Sequence, residues 1–333
     1  MSAVNDTGLP LIPDNIGIIA GPVIIGINVN WGLLGVAVVQ LYIYHLSAPK
    51  DGKLIKTMVY VLGALEFIQS VLASVDSYHW FAAGFGNMKT LDDPYISAFD
   101  SPFLGGIIAL MVQLFFCHRI WILHRSYIIV TVVAAMSFTQ AAGAMAVGIQ
   151  GHIGGSLALI PKHLVAEILW LAGSALADTL IAITMTYTLL KSRNNMLPAS
   201  NKLILKIVRL IIETNTLTAS IALLALICVL AFPDKPTLSV PVAYTFGKLY
   251  TNTFLAALNN RLLLQQRKTL ISFSGGTTNA ASQVPSGQRQ DLGSPVAESY
   301  DLGVRMHTEV YTYADNTQEP HSASKYENSL NNA

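Results

Sequence analysis

The chain of 333 residues is 52% hydrophobic and only 12% charged, with a formal net charge of +1 and a mean hydropathy of +0.49. Soluble domains carry about 25% charged residues, so the composition excludes a water-soluble enzyme and a wholly disordered scaffold, and the near-zero charge leaves no basis for a nucleic-acid partner. An integral membrane protein, with the lipid bilayer as its first partner, is what remains.

Residues 1–15 are polar, holding Asp6 and Asp14 without any Lys or Arg. They lack the basic start of a cleavable signal peptide and are read as an extracellular segment, with Asn5-Asp6-Thr7 a glycosylation sequon at Asn5. Crossing a bilayer takes about 20 apolar residues. Seven runs meet that length: Ile16–Tyr44, Ile55–His79, Phe103–Leu123, Ile128–Ile149, Leu164–Leu190, Leu203–Phe232 and Leu238–Leu264. Only His124, Arg125 and Ser126 separate the third run from the fourth. The cations gather on one side of this pattern: Lys50, Lys53, Lys56, Arg119, Arg125, those between Lys191 and Arg209, Arg261, Arg267 and Lys268, against Lys89, Lys162 and Lys235 on the other. By the positive-inside rule the N-terminus lies outside and the C-terminus in the cytoplasm, in a plasma membrane by preference. Cys117 and Cys228 then fall on opposite faces, about 30 Å apart, too far for a disulfide.

After the seventh run the composition turns to Ser, Gly, Asn, Gln and Pro. Such a segment buries too little apolar surface to fold alone, so 265–333 is expected to be a disordered cytoplasmic tail, a candidate docking segment for a cytoplasmic protein. The expected fold is an all-α membrane protein, a seven-transmembrane-helix bundle over 16–264 with that tail.

Ionisable residues inside a bilayer are costly and mark candidate sites. Glu66, Asp178 and Lys248 all fall near the midplane at 1.5 Å of rise per residue. Lys248, Asn252 and Asn259 share one helix face, as Glu66 does with Gln69, Ser70, Ala73 and Ser77. These positions predict a polar pocket of Glu66, Asp178, Lys248 and Asn252 in which Lys248 neutralises either Asp178 or Glu66. It serves a ligand or a proton, or is a structural ion pair. Arg209 and Glu213, spaced i and i+4, are expected to pair near the cytoplasmic surface. Small residues in span one (Gly17, Gly21, Gly32, Gly35) and span four (Ala141, Ala142, Gly143, Ala144, Gly148) predict close helix packing. His79, His152, His163 and Glu167 lie near the outer face, and His163 with Glu167 has a spacing that can chelate a metal from one helix. No complete metal, phosphate-loop or dinucleotide motif accompanies them, so no cofactor and no catalytic activity are expected. A retinal site on Lys248 is disfavoured: Tyr244 stands where microbial opsins place a carboxylate, and Leu104 to Phe116 holds no acid.

Several stretches resemble an uncharacterised seven-span family, abundant in basidiomycete fungi, whose shared region is a domain of unknown function. They are Gly35 through Gln40-Leu41-Tyr42-Ile43-Tyr44, Gln113-Leu114-Phe115-Phe116-Cys117-His118-Arg119-Ile120, Ala177-Asp178-Thr179-Leu180-Ile181-Ala182, and Tyr250-Thr251-Asn252-Thr253-Phe254-Leu255-Ala256-Ala257-Leu258-Asn259-Asn260-Arg261. Where the family usually has Thr-Gly in span six, this chain has Thr214-Asn215. The resemblance implies the seven-helix architecture and a fungal source, and points to Gln113, Arg119 and Asn259 beside Arg209 and Glu213 as structural or coupling residues. It implies no activity. The first expectation is a receptor-like sensor reading a small molecule at the midplane. A proton- or solute-translocating carrier or channel is the alternative, and a non-catalytic membrane scaffold the third.

Overall fold

The computed structural model describes residues 12–47, 51–156, 164–193, 198–233 and 235–276, and among these all regular structure is helical. Asn5, His163 and the tail beyond Gly276 lie outside the described residues. Residues 1–280 form one compact unit.

Among the described residues that unit holds seven long α-helices and one short one: α1 (Ile16–Leu46), α2 (Lys53–Tyr78), the short α3 (Met88–Asp92), α4 (Leu104–His124), α5 (Tyr127–Gly154), α6 (Leu164–Arg193), α7 (Pro198–Ala231) and α8 (Val240–Gly276). Six of them are long and apolar enough to cross a membrane, and α8 is not among the six. It matches the others in length, but Lys248, Tyr250, Thr251, Asn252 and Asn259 interrupt its apolar sequence. It also runs past the expected end at Leu264 to Gly276. That corrects the start of the tail: Leu262 to Ile271 consists almost wholly of good helix formers, and the first Gly pair comes only at Gly275-Gly276.

Long helices neighbouring in sequence pack side by side, α8 closes the ring against α1, and α4 touches α8 across the interior. The outward faces are apolar, with Ile24, Ile25, Val36, Val39, Phe67, Ile68, Leu223, Leu224 and Ile227 exposed. The inward faces hold Asn30, Glu66, Gln69, Gln113, Gln140, Asp178 and Lys248, each fully buried. Apolar outside and polar inside is the arrangement that a hydrocarbon solvent selects, and these helices mark a multi-pass membrane protein.

Close packing follows the small residues of α5. A Cβ on Gly143 would stand 2.6 Å from the Trp170 backbone nitrogen, and one on Gly148 2.7 Å from the Ala98 carbonyl oxygen. In α1 the expectation is corrected. A Cβ on Gly17, Gly21, Gly32 or Gly35 would meet nothing within 4 Å, and the close approach is instead at Gly26, 2.8 Å from Pro241 Cα. The reason is helix rotation: α1 turns Gly26, Asn30 and Leu34 inward, toward α8 and α2.

The short connection between the third and fourth spans closes through Arg125, whose left-handed conformation (φ 53°) lets its N–H reach Trp121 O at 3.0 Å. At the opposite end, where α1 begins, two wide turns reshape the chain. His79–Ala83 prolongs α2, and Phe99–Phe103 leads into α4. Pro102 in the second turn has no N–H to give, which opens the regular ladder there.

Candidate functional site

The midplane polar residues separate into two bonded groups. In the first, Lys248 of α8 pairs with the Glu66 carboxylate of α2, both fully buried. Its ammonium also donates to the Glu66 carbonyl oxygen (2.7 Å) and to Gln69 Oε1 (3.3 Å). Thr251 Oγ1 donates to the other carboxylate oxygen at 2.6 Å. Asn252 sits beside this pair rather than in it: its amide donates to Lys248 O (2.8 Å) and Leu33 O (3.1 Å) and accepts from Gln40 Nε2 (3.3 Å). Two turns further along α8, Asn259 Nδ2 donates to Gln40 O at 2.8 Å. The α1–α8 seam is therefore tied by side-chain amides two turns apart.

The second group centres on Asp178 of α6. It accepts from Gln113 Nε2 of α4 (3.1 Å), Thr218 Oγ1 of α7 (2.6 Å) and the Tyr250 hydroxyl of α8 (2.9 Å). Gln140 Nε2 of α5 reaches Gln113 Oε1 at 3.3 Å, and Ser174 Oγ reaches Gln140 Oε1 at 3.0 Å. One carboxylate thus gathers donors from three helices. The single expected pocket is divided: Lys248 is held by Glu66, while Asp178 is satisfied by neutral donors and makes no ion pair among the described residues. Buried charge tolerates either solution, a partner charge or a full set of hydrogen bonds.

The remaining candidates fall at the edges. Arg209 and Glu213 pair at 2.6 Å on the exposed side of α7. The Arg119 guanidinium lies 4.8 Å from the centre of the Phe115 ring. His79 contacts Asp93 (3.4 Å) and stacks on Tyr95, and His152 is exposed. Among the described residues no three metal-ligating side chains come together.

A third polar group and a cavity lie toward the end where α1 begins, and little in the sequence pattern announces either. The Asp76 carboxylate, fully buried on α2, accepts from the Tyr244 hydroxyl (3.2 Å) and from the Ile96 N–H (3.1 Å). Tyr244 O in turn accepts from Asn30 Nδ2 (2.9 Å), and Asn30 Oδ1 accepts from Ser70 Oγ (2.7 Å). Asp100, also fully buried, stands against Asp76, and neither of its oxygens finds a donor with hydrogen-bond geometry. Beside Tyr244 opens a cavity of about 80 Å³, walled by Ser97, Ala98, Ser101 and Pro102, by Val147 and Gly151 of α5, Glu167, Trp170 and Leu171 of α6, Ala225 of α7, and Val240, Val242, Ala243 and Tyr244 of α8. None of Glu66, Asp178, Lys248 or Asn252 lines it. Only Asp76, ten residues beyond Glu66 on the same α2 face, extended a helical stripe visible in the sequence. The cavity itself needs the wide turn at Phe99–Phe103, which no periodicity announces.

Residues 174–262 match a family of unknown function, DUF6534. The matched stretch takes in Asp178, Thr218, Lys248, Tyr250, Thr251, Asn252 and Asn259, hence much of both midplane groups. No curated protein and no solved structure matches the chain.

Proposed function

We propose that the protein is a seven-span membrane sensor, in which a small molecule in the cavity at the α1-start end acts through α8 on the buried Lys248–Glu66 pair and so on the opposite helix ends. The cation distribution supports a cytoplasmic location for that opposite end and an external mouth for the cavity.

One observation carries this reading. The helices α2 and α8 are latched twice along their length, at Tyr244–Asp76 on the cavity wall and at Lys248–Glu66, one turn deeper along α8 and ten residues away on α2. A molecule that displaces the Tyr244 ring loads the first latch, and the stiffness of one helical turn delivers that load to the second. Packed cores with alternative bonding arrangements switch rather than bend, which is how small displacements become signals. A carrier needs polar groups opened to a path for its cargo. Here the midplane groups mostly bond one another, which favours the sensor.

The test places a single cysteine at Lys53, exposed at the far end of α2, after Cys117 and Cys228 are replaced by alanine. A bimane attached there reports its surroundings. Tyr244→Phe, which removes the first latch, is expected to shift the emission in the same direction as Lys248→Met, which removes the second. Folded variants that leave the emission unchanged would sink the coupling.

A further inference from the structure

Building on the sensor reading, we infer that the cavity beside Tyr244 takes a small organic ammonium ion, with the Glu167 carboxylate as its counter-ion. Glu167 lines the cavity, is 4% exposed, and makes no hydrogen bond or ion pair among the described residues. Its neighbours there are apolar, aromatic or the neutral hydroxyls of Ser97, Ser101, Ser156 and Ser239, and no Lys, Arg or His is among the lining residues. A buried carboxylate without a partner is costly, and a cation beside it offsets that cost.

Three further features of the wall agree. Trp170, one turn along α6 from Glu167, presents a large ring to the cavity and packs edge-on against Phe246, an aromatic surface of the kind that favours cations. Ser101 Oγ, buried in the opposite wall, has no hydrogen-bond partner and can accept from an ammonium N–H. Behind Tyr244 stand two more acids, Asp76 and Asp100, while Lys248, the cation in electrostatic reach of Asp100, is already engaged by Glu66. The wall is therefore biased toward positive charge from more than one side. The volume of about 80 Å³ sets the size. An engineered cavity of roughly 150 Å³ admits benzene, so this one suits a short alkylammonium of some four or five non-hydrogen atoms.

The experiment uses full-length protein in zwitterionic lipid nanodiscs, titrated with propylammonium, 1-propanol and propionate while tryptophan fluorescence is followed. Propylammonium is expected to give a saturable change that Trp170→Phe abolishes, with propanol and propionate at least about tenfold weaker, since a charge-assisted bond is lost. Glu167→Gln, which keeps shape and removes charge, is expected to weaken propylammonium by about the same factor. Ala225→Leu fills the far wall and is expected to abolish binding of all three. Propanol binding as tightly as propylammonium, an unchanged affinity in Glu167→Gln, or no saturable change with propylammonium overturns the assignment. If Glu167→Gln does not fold, the wild-type series decides alone. The Lys53 bimane separates this assignment from the sensor reading. Propylammonium that binds without moving the emission leaves the cation site and sinks the sensor. Propanol that binds as well and moves the emission does the reverse.

Discussion

Replacing Lys248 by methionine keeps the volume of the side chain and removes its charge. The ammonium makes a charge-assisted bond to the Glu66 carboxylate and two bonds to neutral acceptors, Glu66 O and Gln69 Oε1. A charge-assisted bond contributes about 1.5–3 kcal/mol and each neutral one about 1, so the loss comes to about 3–5 kcal/mol. That agrees with the cost of stranding one member of a buried pair, because Glu66 would keep only the Thr251 hydroxyl. At about 2 °C per kcal/mol for a chain of this size, Lys248→Met should lower the midpoint of thermal aggregation in detergent by about 6–10 °C. Glu66→Gln should cost less, since its amide oxygen still accepts from Thr251 or Lys248. The double variant should fall well short of the sum, with a coupling of about 2 kcal/mol or more. A Lys248→Met midpoint within 2 °C of wild type, or strictly additive singles, would refute the pairing as a structural element.

Other expectations are independent of that pair. Asp178→Leu strands the donors of Gln113, Thr218 and Tyr250 and should destabilise by about 3 kcal/mol or more, whereas Asp178→Asn, which the two hydroxyls can answer by rotating, should cost about 1–2. Equal midpoints for the two variants would contradict the donor count. Gly143→Leu must part α5 from α6 against the Trp170 backbone and should prevent monodisperse expression; Gly21→Ala meets nothing and should leave the midpoint unchanged or raise it slightly. The reverse order in size-exclusion profiles would refute the packing assigned to these glycines. Proteoliposomes under an imposed pH gradient should carry no proton flux above protein-free vesicles, and flux lost in a folded Asp178→Asn variant would establish a carrier in place of a sensor.

The helices were legible because hydrocarbon-length apolar runs have few alternatives: each long helix begins or ends within a few residues of the run that predicted it. The Lys248–Glu66 contact was half legible. Composition put a lysine and two acids at one depth, but depth is silent on helix rotation, and rotation decided that Glu66 faces Lys248 while Asp178 turns to Gln113, Thr218 and Tyr250. Rotation also explains why Gly17, Gly21, Gly32 and Gly35 of α1 do not mediate packing, although Gly26 of the same helix and the glycines of α5 do. The helix beyond Leu264 was hidden by overall polarity, since charged and amide side chains that disfavour a bilayer are still good helix formers. Glu167 carries a metal-ligand spacing from His163 in the sequence; its place in a cavity wall depends on four other segments distant in sequence, the turn before α4 and parts of α5, α7 and α8.

The proposed coupling joins the cavity to the opposite end of the bundle through α2 and α8. Its most direct test is a distance between spin labels at Lys53 on α2 and Lys191 on α6, both exposed at that opposite end, measured with and without saturating propylammonium. Helix shifts in switching proteins are about 1–2 Å at interfaces, so the mean distance is expected to change by about 1–2 Å, a change reproduced without any added molecule by Tyr244→Phe. Superimposable distance distributions in all three samples, with propylammonium shown to be bound, would contradict it.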